Sequence, residues 1–88
     1  MDDLAKDVLR ILIEKENTSR SYQQRAQEAL CNNNNVPCKE QCMLLQRAAE
    51  LESDMAEMTV GAEKDHHIKE MNRLDQECAS IKNYLEKA

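Results

Sequence analysis

Two groups of side chains in this 88-residue sequence have the chemistry to hold a metal, exchange electrons or move protons. Cys31, Cys38 and Cys42 lie close together, and His66 and His67 are adjacent. On a helix Cys38 and Cys42 share a face, at i and i+4. A turn between them and Cys31 would bring three thiols to one tip. Three thiolates make three ligands of a tetrahedral zinc site, a partner supplying the fourth. The spacing C-x6-C-x3-C matches no common zinc pattern, however, so free and partly packed thiols are the plainer reading. A disulfide from Cys31 to Cys38 or Cys42 is sterically conceivable, but a reducing interior keeps thiols reduced. Cys38 lies near a helix start, where a lowered pKa would make it reactive.

The two histidines project about 100° apart on a helix, so they cannot form the i, i+4 pair of a helical zinc site. A solvated pair near a helix start or kink is expected. No glycine elbow or Ser-His-Asp context accompanies them. The carboxylates are interspersed with Lys and Arg, as on a solvated helix surface. The expectation is therefore a protein that is not an enzyme, with no catalytic residue, no metal ligand and no cofactor.

The elements that carry these residues are legible from composition. There is one Gly and one Pro, there are two Tyr and no Phe or Trp, and 33% of residues are charged. Strands and their turns need more β-branched, aromatic and turn residues, and one glycine cannot build a phosphate-cradling loop. The composition points to long helices and coiled coil in a single all-α domain, 1–88.

A first helix is expected over about 2–30. Asp2 and Asp3 suit its N-terminus, where the helix dipole favours anions. Leu4, Val8, Ile11, Lys15, Thr18, Tyr22, Arg25 and Ala29 step by fours and threes, a seam with apolar ends and a polar middle. Ser21 with Gln24 fits a capping box, so a restart there competes with the simpler unbroken helix. Asn32–Asn35 is the clearest break, since Asn bonds its own backbone and tolerates left-handed geometry. An Asn-rich turn over 31–36 then leads to a helix from about 37, with Pro37 in its first turn.

Leu44, Ala48, Leu51, Met55 and Met58, continuing to Ala62, form a coiled-coil seam and the expected core of this second helix. A second seam, Met71, Leu74, Cys78, Ile81 and Leu85, is out of phase with it by two residues, about 200° of rotation. The jump falls across 59–65, around Gly61. One reading has a helix running from 37 to 87 whose halves face different partners. The other ends a helix at Gly61 and caps a third at Asp65. The first gives an antiparallel helical hairpin with a long second helix, the second a compact three-helix bundle broken near Gly61.

In the hairpin register Ile11 meets Met58 and Leu4 meets the region of Asp65. Residues 66–87 then have no partner and would project about 30 Å. Ile68, Met71, Leu74, Cys78, Ile81 and Leu85 are accordingly the expected partner-binding residues, since such a stripe does not stay in water. Met43, Met55, Met58 and Met71 sit on or beside the seams, where methionine adapts to irregular surfaces.

The formal charge is -5. Residues 1–30 carry six acids and five bases, 38–60 five and two, and 61–88 six and five. Without a basic stripe nucleic acid is not an expected partner, and a membrane surface is not either. No apolar run has membrane-spanning length and no leader is visible, so a soluble, cytoplasmic protein is expected. Function reduces to two readings. One is a coiled-coil scaffold or assembly subunit that oligomerises or docks helix to helix. The other is a monomeric three-helix adaptor that takes a short amphipathic helix of a partner protein in a groove.

Overall fold

The computed structural model describes residues 2–87, and of Asp2 only the backbone. The outer bounds of the expected domain, 1 and 88, and the role given to the Asp2 side chain lie outside this. Three helices make the chain all-α: α1 (Asp2–Asn32), α2 (Lys39–Met58) and α3 (Gly61–Lys87).

α1 runs unbroken through its polar stretch, without the restart at Ser21. The Thr18 hydroxyl donates to the Glu14 carbonyl at 2.8 Å and Arg20 pairs with Glu16 at 3.2 Å, so these side chains are satisfied on the helix itself. The seam shifts in the middle. The buried positions are Ser19, Ala26 and Ala29, with Tyr22 half-buried, while Thr18 and Arg25 of the expected stripe face water. After Lys15 the spacing is four-three-four-three, not three-four-three-four. Both spacings fit a helix, and the small residues Ser19 and Ala26 let α2 approach closely.

The Asn run ends α1. Asn34 and Asn35 adopt φ of 59° and 61°, the left-handed region that Asn enters more readily than most residues. The Asn34 N–H donates to the Cys31 carbonyl and the Asn35 N–H to the Leu30 carbonyl, the two bonds of a Schellman cap. α2 begins at Lys39, two residues after the expected first-turn position of Pro37. Cys38 is its N-cap residue and makes no side-chain capping bond.

The second expected helix is broken. Thr59 leaves helical geometry at φ -126°, ψ 167°, and its hydroxyl folds back onto the Met55 carbonyl at 2.8 Å. Gly61 then takes φ +65°, which costs an L-residue roughly 1–2 kcal/mol. Gly61 opens α3 rather than closing α2, and Asp65 lies within α3 rather than capping it. The continuous helix over 59–65 thus yields to the three-helix alternative. The physical reason is the phase jump. Reversing the chain turns the second apolar stripe back onto α2, where a straight helix would leave it in water.

α2 lies between its neighbours and buries two adjacent stripes, Leu44, Ala48 and Met55 beside Cys42, Leu45, Ala49 and Ala56. Leu51 and Met58, expected in the core seam, are only half-buried. Leu51 sits at the margin with Thr18 and Tyr22 of α1, because α2 divides its buried surface between two helices. Among the described residues no Cα of α1 comes within 8 Å of one of α3. The molecule measures 54 × 22 × 14 Å with a radius of gyration of 14.9 Å, against about 12 Å for a compact chain of this length.

Candidate functional site

Lys15 Nζ lies 3.3 Å from Asp54 Oδ2, four residues after Ile11 on α1 and four before Met58 on α2, so the antiparallel register of α1 on α2 matches the expected Ile11–Met58 pairing. What differs is what lies beyond it. α2 stops at Met58, and the stretch of α1 before Ile11, about 14 Å long at 1.5 Å per residue, runs past its end. In that stretch Leu4 and Leu9 are 72% and 57% exposed and Val8 is exposed too, and the adjoining Ile11 and Ile13 (51%) are also exposed. Leu4 does not meet the region of Asp65, because the chain has already turned back. Val60, in the α2–α3 turn at the same end, is 84% exposed.

The residues expected to bind a partner are placed differently. Leu74, Cys78 and Ile81 are buried in the chain's own core, with Met71 and Leu85 packed against it, and Ile68 is half-buried. In this conformation their apolar surface is directed at α2. The uncovered stripe has moved from residues 66–87 to the start of α1.

Where α1 diverges from α3, a groove of about 390 Å³ opens. Leu9, Leu12 and Ile13 wall it on one side, Met55 and Thr59 floor it, and Ala62, Glu63, His66 and His67 line the α3 side, with Glu16 at the rim. His67 joins the groove to a buried polar layer that draws side chains from all three helices. The Ser19 hydroxyl donates to Glu52 Oε1 at 3.1 Å, and His67 Nδ1 lies 2.7 Å from Glu52 Oε2. Gln23 donates to Ser19, and Arg73 donates to Gln23 at 2.9 Å, so the bonds run from α3 through α1 and α2 back to α3. Glu70 and Glu77 hold the Arg73 guanidinium, whose pKa is raised first by its hydrogen bond to Glu70. Inside a protein a carboxylate is tolerated when its oxygens are hydrogen-bonded, and both of Glu52's are.

Ser, Glu and His meet here in an order unlike that of a nucleophilic triad. The carboxylate stands between the other two, whereas catalysis needs the imidazole beside the hydroxyl. Ser19 is fully enclosed. The layer is a brace, with one nitrogen to spare. With Nδ1 engaged by Glu52, His67 Nε2 has no partner among the described residues. Among the described residues the enclosed side-chain atom left without a partner is Gln41 Oε1, so His67 Nε2 is not fully enclosed, and His67 lines the groove.

The expectation of a solvated histidine pair is corrected for His67, which is 9% exposed, while His66 faces water. One signal was available. Stepping four residues back from Met71 reaches His67 and extends the second seam. Ser19 and Glu52 gave no such signal, because each is an ordinary polar residue until three helices converge on it.

The thiols do not gather at one tip. Cys31 is exposed, and Cys38 is half-buried against the Ala29 carbonyl. Cys42 faces Cys78, each sulfur contacting the other residue's carbonyl, at 3.8 and 3.4 Å. All four thiols are free. Burial first, then the neighbouring Cys42, pushes the Cys78 thiol up to about 12. Among the described residues no three His, Cys, Asp or Glu side chains are placed to share a metal ion, and no helix is long and apolar enough to cross a membrane. No protein family, curated protein or solved structure matches this chain.

Proposed function

We infer that this chain is a non-enzymatic interaction module that docks a helix of a partner protein on the projecting start of α1. The observation that carries this reading is the apolar surface toward the start of α1, where Leu4, Val8 and Ile11 form one exposed face and Leu9 and Ile13 another on the far side of the helix. This end of α1 is helical without a packed apolar face, and most helix stability in proteins comes from packing such a face. A partner helix laid along this segment would supply that packing. The groove between α1 and α3 gives the adaptor reading a seat of the size used by binding sites.

The coiled-coil scaffold is the rival, because Leu4, Val8 and Ile11 also keep heptad spacing. Light scattering with small-angle X-ray scattering separates the two. A monomer near 10.2 kDa with a radius of gyration near 15 Å is expected, and a long oligomer would favour the scaffold. Titrating the isotope-labelled protein with a leucine-striped amphipathic peptide should shift amide resonances in residues 4–13 and 62–67. Shifts confined to residues 68–85, where the partner surface was expected from sequence, would refute docking on α1.

A further inference from the structure

The groove is apolar but not featureless, and its polar groups are of one kind. Its lining holds two carboxylates, Glu16 and Glu63, and neither Lys nor Arg. Glu16 is tied to Arg20 at 3.2 Å, while Glu63 has no ion-pair partner among the described residues. Glu63 and His67 are i and i+4 on α3, one above the other on the same face. His67 is about nine-tenths buried, held by Glu52 and part of the groove lining, and its remaining nitrogen is unpartnered among the described residues and not fully enclosed. When the imidazole is neutral and Nδ1–H donates to Glu52, Nε2 is a hydrogen-bond acceptor. An occupant that filled the groove with apolar groups alone would leave this acceptor dry and unpaired, at a penalty. The groove therefore calls for an occupant with an apolar body and a cationic donor.

We propose that the groove takes an amphipathic helix of another protein carrying a lysine at the margin of its apolar face, with the lysine stem along Leu12, Ile13 and Met55 and its ammonium donating to His67 Nε2 and Glu63. Lysine suits both parts of the site, having a methylene stem that packs on apolar surface and a head with three donors. A second copy of this chain is the other candidate occupant, and the oligomeric state is one outcome of the test. This proposal rests on the docking site inferred above and specifies what the site reads.

The test uses the full chain and three capped helical peptides with one leucine stripe, differing at one marginal position: lysine, norleucine or glutamate. Norleucine keeps the apolar stem and drops the ammonium. Binding is measured by fluorescence anisotropy in mildly alkaline, low-salt buffer. The lysine peptide should bind about tenfold tighter than the norleucine peptide, as one charge-assisted hydrogen bond allows. Glu63→Gln, an exposed substitution that leaves the fold alone, should reduce that ratio to about threefold or less. His67→Phe should do the same, with circular dichroism reporting whether it stays folded. If norleucine binds as tightly as lysine, and Leu9→Asp with Ile13→Asp abolishes both, the docking site stands and the lysine reading fails. If no peptide binds, or the chain instead forms a dimer that Leu9→Asp with Ile13→Asp disperses, the proposal is overturned.

Discussion

The two parts of α1 obey the same periodicity and meet different fates. From Ser19 to Ala29 its stripe is small and polar-to-apolar, and α2 closes over it. From Leu4 to Ile13 the apolar residues are larger and more numerous, and among the described residues Leu4, Val8, Leu9, Ile11 and Ile13 stay exposed. Apolar content alone would assign the core to the wrong half. What decides is where α2 ends, and that is set by Thr59 and Gly61, far away in sequence. The lesson is that exposure of an apolar helix face is a property of its neighbour's length as much as of the face itself.

The widest separation between covered and open positions should be chemical. Cys31 is exposed, whereas Cys78 is buried with its pKa raised from an ordinary 9.0 to about 12. The thiolate is the reactive form and Cys78 is also buried, so alkylation near neutral pH should be much slower at Cys78 than at exposed Cys31, on the order of 10³-fold, read by mass spectrometry of digests. The same shift carries a sign for stability. Because the folded state holds this proton more tightly, its contribution is fully present below 9.0 and is lost as pH rises toward about 12. Equal labelling of Cys31 and Cys78 would place Cys78 among the open residues.

Core truncation comes next. Leu74→Ala, at a fully buried position, should cost about 2–5 kcal/mol in denaturant unfolding, while Leu4→Ala should change stability by less than about 0.5 kcal/mol. A comparable loss at Leu4 would show that the start of α1 is covered after all. Glu52→Ala should cost about 1–3 kcal/mol, because the Ser19 and His67 groups lose their acceptor inside the bundle. An unchanged midpoint there would mean the polar layer braces nothing. A smaller effect than core truncation is expected at the turn. Gly61→Ala meets no atom within 4 Å, so only the strain of φ +65° opposes it, about 1–2 kcal/mol. A stabilised variant with a longer, straighter scattering profile would instead show α2 and α3 fusing, which would expose the stripe around Leu74.

Much of the architecture was legible because it is local. The Asn run, both apolar seams and the phase jump at 59–65 can be read from residue spacing, and the α1–α2 register follows from the turn. The outcome of the phase jump was not legible, because a kinked helix with two partners and a reversed chain satisfy the same pattern. Choosing between them needs the backbone at Thr59 and Gly61. The site was less legible than the fold. Residues 68–85 carry the best-formed seam, and that seam packs within the chain. The polar layer was hidden because Ser19, Glu52 and His67 share no spacing, and only the convergence of three helices joins them.

Among the described residues the backbones of α1 and α3 each come close only to α2, so each close helix pairing joins elements adjacent in sequence. The chain is folded like a zigzag strip rather than wrapped around a centre. Such a topology has low contact order, and low contact order goes with folding in microseconds to milliseconds. It also divides cooperativity between two hairpins that share one helix, much as stacked repeats share interfaces. Apart from side-chain bonds such as Arg73 to Gln23, α3 has little hold on α1. Hydrogen exchange should therefore be graded along the strip, fastest at the start of α1 and slowest in α2, the one helix that both hairpins need.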